Sequence, residues 1–182
     1  MNNFTFNYIE TSRFKLRILE AEAYQAFLKS ATDQEIAYYI GIPYHQITYE
    51  RTKGAIGFRT FNKSYKMFII VDKATDHVIG HCGFHTWYVD HHRAEIGYAL
   101  YQEQWKGRGV MTEVLRAVLT YGFDRMKLIR VEAFISPENI ASLNTVKKFG
   151  FTQEGLLRNQ YINNGEIEDS ILHRLLVEEF QS

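Results

Sequence analysis

From Phe14 to Ile18 the chain alternates apolar Phe14, Leu16 and Ile18 with Lys15 and Arg17, the period of a half-buried strand. "LEAEAYQAFLKSA" then moves to helical spacing through Tyr24, Phe27 and Leu28, until Gly41 and Pro43 in "YYIGIPYHQIT" break it. Thr48 is placed to cap a following helix of about 14 residues with Ile56 on its buried side. "KMFIIVD", "HVIGHCGFHTWYV" and "RAEIGYALY" read as three strands joined by short turns at "KATD" and "DHH", an antiparallel meander. Beyond Gly109, the residues Met111, Val114, Leu115, Val118, Leu119 and Gly122 recur at three- and four-residue steps, one buried face of a helix. A strand "LIRVEAFI", a helix "PENIASLNTVKKF" and a strand pair turning at Asn163-Asn164-Gly165 follow. The order β-α-α-β-β-β-α-β-α-β-β implies an α+β fold, a mixed and mostly antiparallel sheet of about seven strands with helices on both faces.

Composition narrows what this fold can serve. At 182 residues, 46% hydrophobic and 15% aromatic, with no linker, repeat or low-complexity tract, a single domain spanning 1–182 is expected. Lys plus Arg equals Asp plus Glu at 21 each, so no overall basic field gathers nucleic acid or an anionic membrane. The cations of "ERTKGAIGFRTFNKSYK" then read as a solvated face. The first residues lack a charged-then-apolar signal segment, and no apolar run approaches the ~20 residues of a membrane helix, so a cytoplasmic location is expected. The lone Cys82 agrees with a reducing compartment and reads as a small core residue rather than a nucleophile. His91 and His92 are adjacent in a turn, so their side chains diverge, and no third ligand stands at metal spacing. No metal site is expected.

The chemistry concentrates in "QWKGRGVMTEVLRAVLTYGF". The first turn of a helix leaves about four N–H groups without partners, and the macrodipole adds roughly half a positive charge there. Gly107 and Gly109 remove side chains that would keep a phosphate from the backbone, while Lys106 and Arg108 add mobile positive charge. A pyrophosphate fits this end; a tight strand-to-helix turn with solvated cations is the other reading. The spacing matches neither G-x-x-x-x-G-K-[ST] nor G-x-G-x-x-G with a later acidic residue, which excludes a typical nucleotide triphosphatase loop and a dinucleotide fingerprint. In "SPENIASLNTVKKFGF", Ser136 reads as a cap, Pro137 as the first helical position and Gly150 as the end, with Ile140, Leu143 and Val146 as the core stripe. Asn139 and Ser142 then share one side near the helix start, where ordinary first-turn residues and stabilisers of a carbonyl or thiolate are equally at home.

The segment "AEIGYALYQEQWKGRGVMTEVLRAVLTYGFDRMKLIRVEAFISPENIASLNTVKKFGF" resembles the GNAT superfamily of acetyl-coenzyme A dependent N-acetyltransferases, most closely its ribosomal-protein N-terminal (Rim-type) branch. The resemblance spans nearly the whole chain, from "TSRFKLR" through "EIGYAL" to "NIASLNTVKKFGF". It implies the acyl-CoA N-acyltransferase fold and acetyl-CoA as cosubstrate. The superfamily loop Q/R-x-x-G-x-G/A matches literally from Gln104 with Gly107 and Gly109, whereas spacing to the helix favours Lys106-Gly107-Arg108-Gly109-Val110-Met111, with Met111 turned into the core. The implied anion is the pyrophosphate of coenzyme A, held by amides from Gly107 to Met111. By the same resemblance the backbone of Ala99, Leu100 and Tyr101 pairs with the pantetheine amides, and Asn139 and Ser142 line the arm and thiol. Many relatives carry a tyrosine acid seven residues after that Asn; Val146 stands there, which leaves Ser142 to position or protonate the thiolate.

An amine must lose a proton to attack a thioester, so a base belongs within reach of the acetyl carbon. Glu95 is the candidate: it alternates with Ala94 and Ile96, on the face that carries small Gly97 and Ala99. An edge-strand glutamate paired with Arg93 or water is the competing reading, and resemblance favours the base. Trp87, Tyr88, Tyr38 and Tyr39 could wall an acceptor groove or serve as core. The expected activity is direct acetyl transfer to a primary amine, first a protein N-terminal α-amine, with small amines or non-catalytic acetyl-CoA sensing as alternatives. Exposed aromatics and the strand-rich C-terminus are compatible with a homodimer.

Overall fold

The computed structural model describes residues 4–163 and 165–181. Asn164 of the expected turn lies outside the described residues. The elements are β1 (Tyr8–Glu10), β2 (Phe14–Glu20), α1 (Ala21–Ser30), α2 (Asp33–Ile40), α3 (Tyr44–Ile56), β3 (Lys63–Asp72), β4 (Val78–Tyr88), β5 (Arg93–Leu100), α4 (Val110–Asp124), β6 (Arg130–Ile135), α5 (Ile140–Lys148), β7 (Thr152–Asn163) and β8 (Glu166–Leu176). They form one sheet in the order β1-β2-β3-β4-β5-β6-β8-β7. Its β5–β6 pair is parallel, and the others are antiparallel. The fold class is the one the alternation pattern implies, with eight strands rather than about seven because short β1 adds an edge to β2.

Each sheet face buries its own helices. On one side Val114, Leu115, Val118 and Leu119 of α4 and Val146 of α5 pack with Phe68, Phe84, Ala94 and Ile96. On the other, Tyr24, Phe27 and Leu28 of α1, Ile36 and Ile40 of α2 and Ile47 of α3 cover Met67, Ile69 and Val71. The period-two strands thus feed two cores, one per face.

Three local expectations are corrected. The first helical stretch is two helices: Thr32 accepts from the Glu35 N–H in a capping box that restarts the chain as α2. α3 begins at Tyr44 behind Pro43, so Thr48 lies inside the helix, and Ile56 is 83% exposed while Ile47 and Gly54 face the core. α5 is capped by Asn139 rather than Ser136, its carboxamide oxygen accepting from the Ser142 N–H at 3.1 Å. Starting there, the helix leaves Ile140 59% exposed, with Leu143 half-buried and Val146 fully buried.

The start of α4 is tied down from outside the helix. Glu113 Oε1 accepts from the Thr11 hydroxyl (2.7 Å) and the Arg13 N–H (2.8 Å), and Oε2 from Arg13 Nε (2.7 Å). Arg13 Nη1 in turn donates to the Arg108 carbonyl at 3.1 Å. One arginine therefore joins the β1–β2 turn, the first turn of α4 and the glycine loop before it.

Burial acts to raise the Glu113 carboxyl, but the Arg13 N–H, the Thr11 hydroxyl and the guanidinium outweigh it and hold the carboxyl below its usual range. A lowered folded-state value means stability that is complete above the unfolded carboxylate range and lost as pH falls through the folded value. Glu113→Ala is expected to destabilise the protein by about 1–3 kcal/mol at neutral pH. Urea denaturation of both proteins across pH should show that difference shrinking in acid.

Candidate active site

β5 and β6 pair in parallel only at Arg93↔Arg130, Ala94↔Val131 and Glu95↔Glu132, although β5 runs on to Leu100 and β6 to Ile135. The strands separate, and a cleft of about 480 Å³ opens beside the end of β5, walled by the N-termini of α4 and α5. Ala99, Leu100, Lys106, Gly107, Gly109, Val110, Met111, Asn139 and Ser142 all line it, together with Tyr98, Trp105 and Thr112. Nine of the eleven residues read as cofactor-binding, spread from Ala99 to Ser142, are thus gathered around one hollow, and Tyr101 and Arg108 are not.

At the α4 end, Gly107 and Gly109 both have φ +70°, a left-handed conformation that side chains disfavour. Gly109 is the N-cap, and the first helical bond runs from the Glu113 N–H to its carbonyl at 3.1 Å. The amides before Glu113 have no partner within the helix and stand at the positive end of its dipole. Lys106 lines the cleft and Gln104 does not, which favours the second of the two loop registers. Lys106 Nζ is paired with Glu103 at 2.5 Å. Arg108 is exposed and outside the cleft lining, and its carbonyl is held by Arg13. Met111, expected in the core, is half-buried against it and also lines the cleft. Tyr101 diverges from its neighbours: its N–H donates to the Ile79 carbonyl (2.9 Å), and its hydroxyl meets His81 Nδ1 at 3.1 Å.

Glu95 stands on the opposite face of β5 from buried Ala94 and Ile96. β5 is an interior strand, and Arg93 pairs with Glu132 at 2.7 Å, so Glu95 is neither on an edge nor the partner of Arg93. The partner of Glu95 is His85, Nε2 to Oε1 at 2.9 Å, with side-chain exposures of 39% for the histidine and 18% for the glutamate. His85 is the extra residue of a bulge between Phe84 and Thr86 of β4, which aims it across the sheet face. A Cβ on Gly97 would come within 2.9 Å of its ring. The space beside Glu95 is therefore filled by the imidazole. Tyr161 of β7 lies on the same side; burial, then the Glu95 carboxylate, push its phenol up. His81, further along β4 opposite Ala99, is held below the ordinary imidazole range by burial and then by His85.

Sequence reading missed His85, Tyr161, Tyr98 and Trp105 as site residues. His85 was reachable in principle, because Gly83 and Gly97 oppose each other across β4 and β5, but the bulge that turns it leaves no mark in the period-two pattern. Tyr161 arrives through β7, whose register with β8 slips between Leu157 and Tyr161. Of the aromatics offered as groove walls, Tyr39 packs with Phe4, Phe6 and Phe27, Tyr38 bonds Asp76 at 3.3 Å, and Tyr88 lies under Arg93. The cations between Arg51 and Lys66 are paired with Asp33, Glu50, Glu22 and Glu20, save Lys63, which sits over Tyr88. Cys82 is fully buried, and burial pushes its thiol far up, away from thiolate chemistry. No group of three potential metal ligands occurs among the described residues.

The cleft fits an elongated, partly anionic ligand on its own evidence. Two buried donors in its walls, the Tyr98 hydroxyl and Trp105 Nε1, make no well-formed hydrogen bond among the described residues, and free amides lie at one end.

The comparisons with known proteins agree with this architecture. Residues 13–152 match the family model described as "Acetyltransferase (GNAT) domain". The uncharacterized N-acetyltransferase p20 of Bacillus licheniformis is 33% identical over 172 residues, covering 93% of this chain and 96% of that protein. Spermidine N(1)-acetyltransferase of Escherichia coli (strain K12) is 28% identical over 81 residues, 44% of this chain and 43% of its own length. The solved structure of RimL, a ribosomal L7/L12 α-N-protein acetyltransferase in complex with coenzyme A, superposes with a TM-score of 0.72 at 18% identity, over 95% of this chain and 99% of that one. The chain belongs to the GNAT acetyltransferase family. It is an acetyl-CoA-dependent N-acetyltransferase, with an amine as acceptor.

Gly109→Ala tests the loop. A Cβ there meets only Arg13 Nη2 at 3.9 Å, so the penalty comes from the φ of +70°. Calorimetric titration with coenzyme A should show affinity falling several-fold, alongside a stability loss of about 1 kcal/mol.

Proposed function

We propose that the acceptor is a protein N-terminal α-amine and that Glu95 is the general base. The observation that carries this reading is the placement of Glu95 beside the diverging strands, with its bonding partner His85 39% exposed and neighbouring Tyr161 43% exposed. An open approach of this kind suits the end of a chain, whereas a small amine is better recognised by enclosure. The resemblance in fold to RimL supports the same acceptor class.

Glu95 takes the proton from the attacking amine, directly or through one water, and His85 holds the carboxylate in place by its Nε2 bond. The amides from Gly107 to Met111 hold the pyrophosphate, and Lys106 on the cleft wall can exchange Glu103 for it. The backbone of β5 at Ala99 and Leu100 runs along the pantetheine arm, and one of its N–H groups stabilises the oxyanion. Asn139 and Ser142 flank the thiol end, where Ser142 positions the leaving sulfur. Attack is direct, without an enzyme-bound acetyl group, and Cys82 takes no part. The reading places this chemistry in a single cytoplasmic domain.

Thiol release from acetyl-CoA, measured with peptides beginning Ala or Ser, with spermidine and with no acceptor, tests the proposal. Turnover with a peptide, reduced about 10²–10⁴-fold in kcat/KM by Glu95→Gln, is expected. Turnover with spermidine alone would move the acceptor to polyamines, as in the spermidine-acetylating relative. Full activity of Glu95→Gln would remove Glu95 from the chemistry.

A further inference from the structure

Tyr98 follows Glu95 by three positions on β5 and so faces the other side of the sheet, toward α4 and α5. Its hydroxyl is buried and makes no well-formed hydrogen bond among the described residues, with only the Ser142 side chain close enough to interact with it, yet the side chain lines the cleft. A buried hydroxyl short of a good partner is a cost that is recovered when a partner arrives with a ligand. Ser142 of α5 is the polar side chain that faces it, and Cys82 of β4 is its register partner. Burial, first, and then Cys82 push the phenol above its ordinary value while Ser142 opposes them, so the proton stays on oxygen throughout the neutral range.

We propose that Tyr98 is the proton donor to the departing sulfur, acting beside Ser142. As the C–N bond forms and the C–S bond breaks, the electron pair of the latter goes to sulfur. Sulfur takes the Tyr98 hydroxyl proton, and the phenolate regains one from water; the amine proton has meanwhile passed to Glu95. Ser142 sets the position of the sulfur, and Tyr98 supplies the proton. This inference rests on the reading of the cleft as the thioester site, but not on which amine is the acceptor.

The test is Tyr98→Phe, which removes the oxygen and keeps the ring. Because the oxygen makes no well-formed hydrogen bond without ligand, the free variant should melt at or above the temperature of the parent protein. Its kcat should fall at least tenfold with KM for acetyl-CoA within about twofold, since the bond is made as sulfur gains charge. A readout independent of turnover is the ultraviolet absorbance of the coenzyme A thiolate bound to protein, titrated with alkali. Loss of a donor to that thiolate should move its ionisation to higher pH in Tyr98→Phe.

An unchanged kcat and an unchanged thiol titration would overturn the proposal. So would loss of activity in Ser142→Ala with none in Tyr98→Phe, which would leave the proton with the serine. A drop in melting temperature matching the activity loss, with the thiol titration unmoved, would reduce Tyr98 to a packing residue. Failure of the base reading looks different, because Glu95→Gln would then stay active while Tyr98→Phe loses kcat.

Discussion

The structure depends on one interrupted pairing. β5 and β6 are hydrogen-bonded neighbours for three residue pairs in the middle of an eight-stranded sheet, and then they are not. Interior strands that part company leave peptide groups facing each other across a gap, and buried peptide groups need partners. β6 is secured on its far side by β8 along its whole length, and β5 by β4, so the opening is held apart from both flanks. A ligand with its own amides can complete the ladder, and the pantetheine arm of acetyl-CoA is such a ligand.

Everything else in the site takes its place from that opening. α4 begins beside it because Gly109 ends the loop with a left-handed residue and Glu113, gripped by Arg13 and Thr11, fixes the first turn. α5 begins on the other wall because Asn139 caps it. The alternation of β5 then divides the labour, with Glu95 on the face shared with His85 and Tyr161, and Tyr98 on the face shared with Ser142. In the proposed mechanism one strand carries the group that removes a proton and the group that returns one, on opposite sides of its backbone.

Much of this was legible in the amino-acid pattern, for identifiable reasons. The helix after Gly109 declares itself because Met111, Val114, Leu115, Val118, Leu119 and Gly122 keep a helical step over three turns, and its glycines mark where the helix begins. The face that Glu95 occupies was legible because period-two alternation separates it from Ala94 and Ile96. What hid was whatever breaks a period. The bulge at His85, the restart of the chain at Thr32, and the cap at Asn139 rather than Ser136 are each decided by one local hydrogen bond or one extra residue. The Thr32–Glu35 capping box was there to be read, as T-x-x-E, and the continuous helical spacing on either side obscured it. Tyr161 had no local signal, because only the β7–β8 hairpin brings it within reach of Glu95.

The most direct test of this account is a crystal structure of the complex with coenzyme A. The account predicts pyrophosphate oxygens on the amides between Gly107 and Met111, the pantetheine arm lying between β5 and β6 along Ala99 and Leu100, and sulfur beside Tyr98 and Ser142. Coenzyme A bound outside that opening, or β5 and β6 zipped together with the ligand elsewhere, would contradict it.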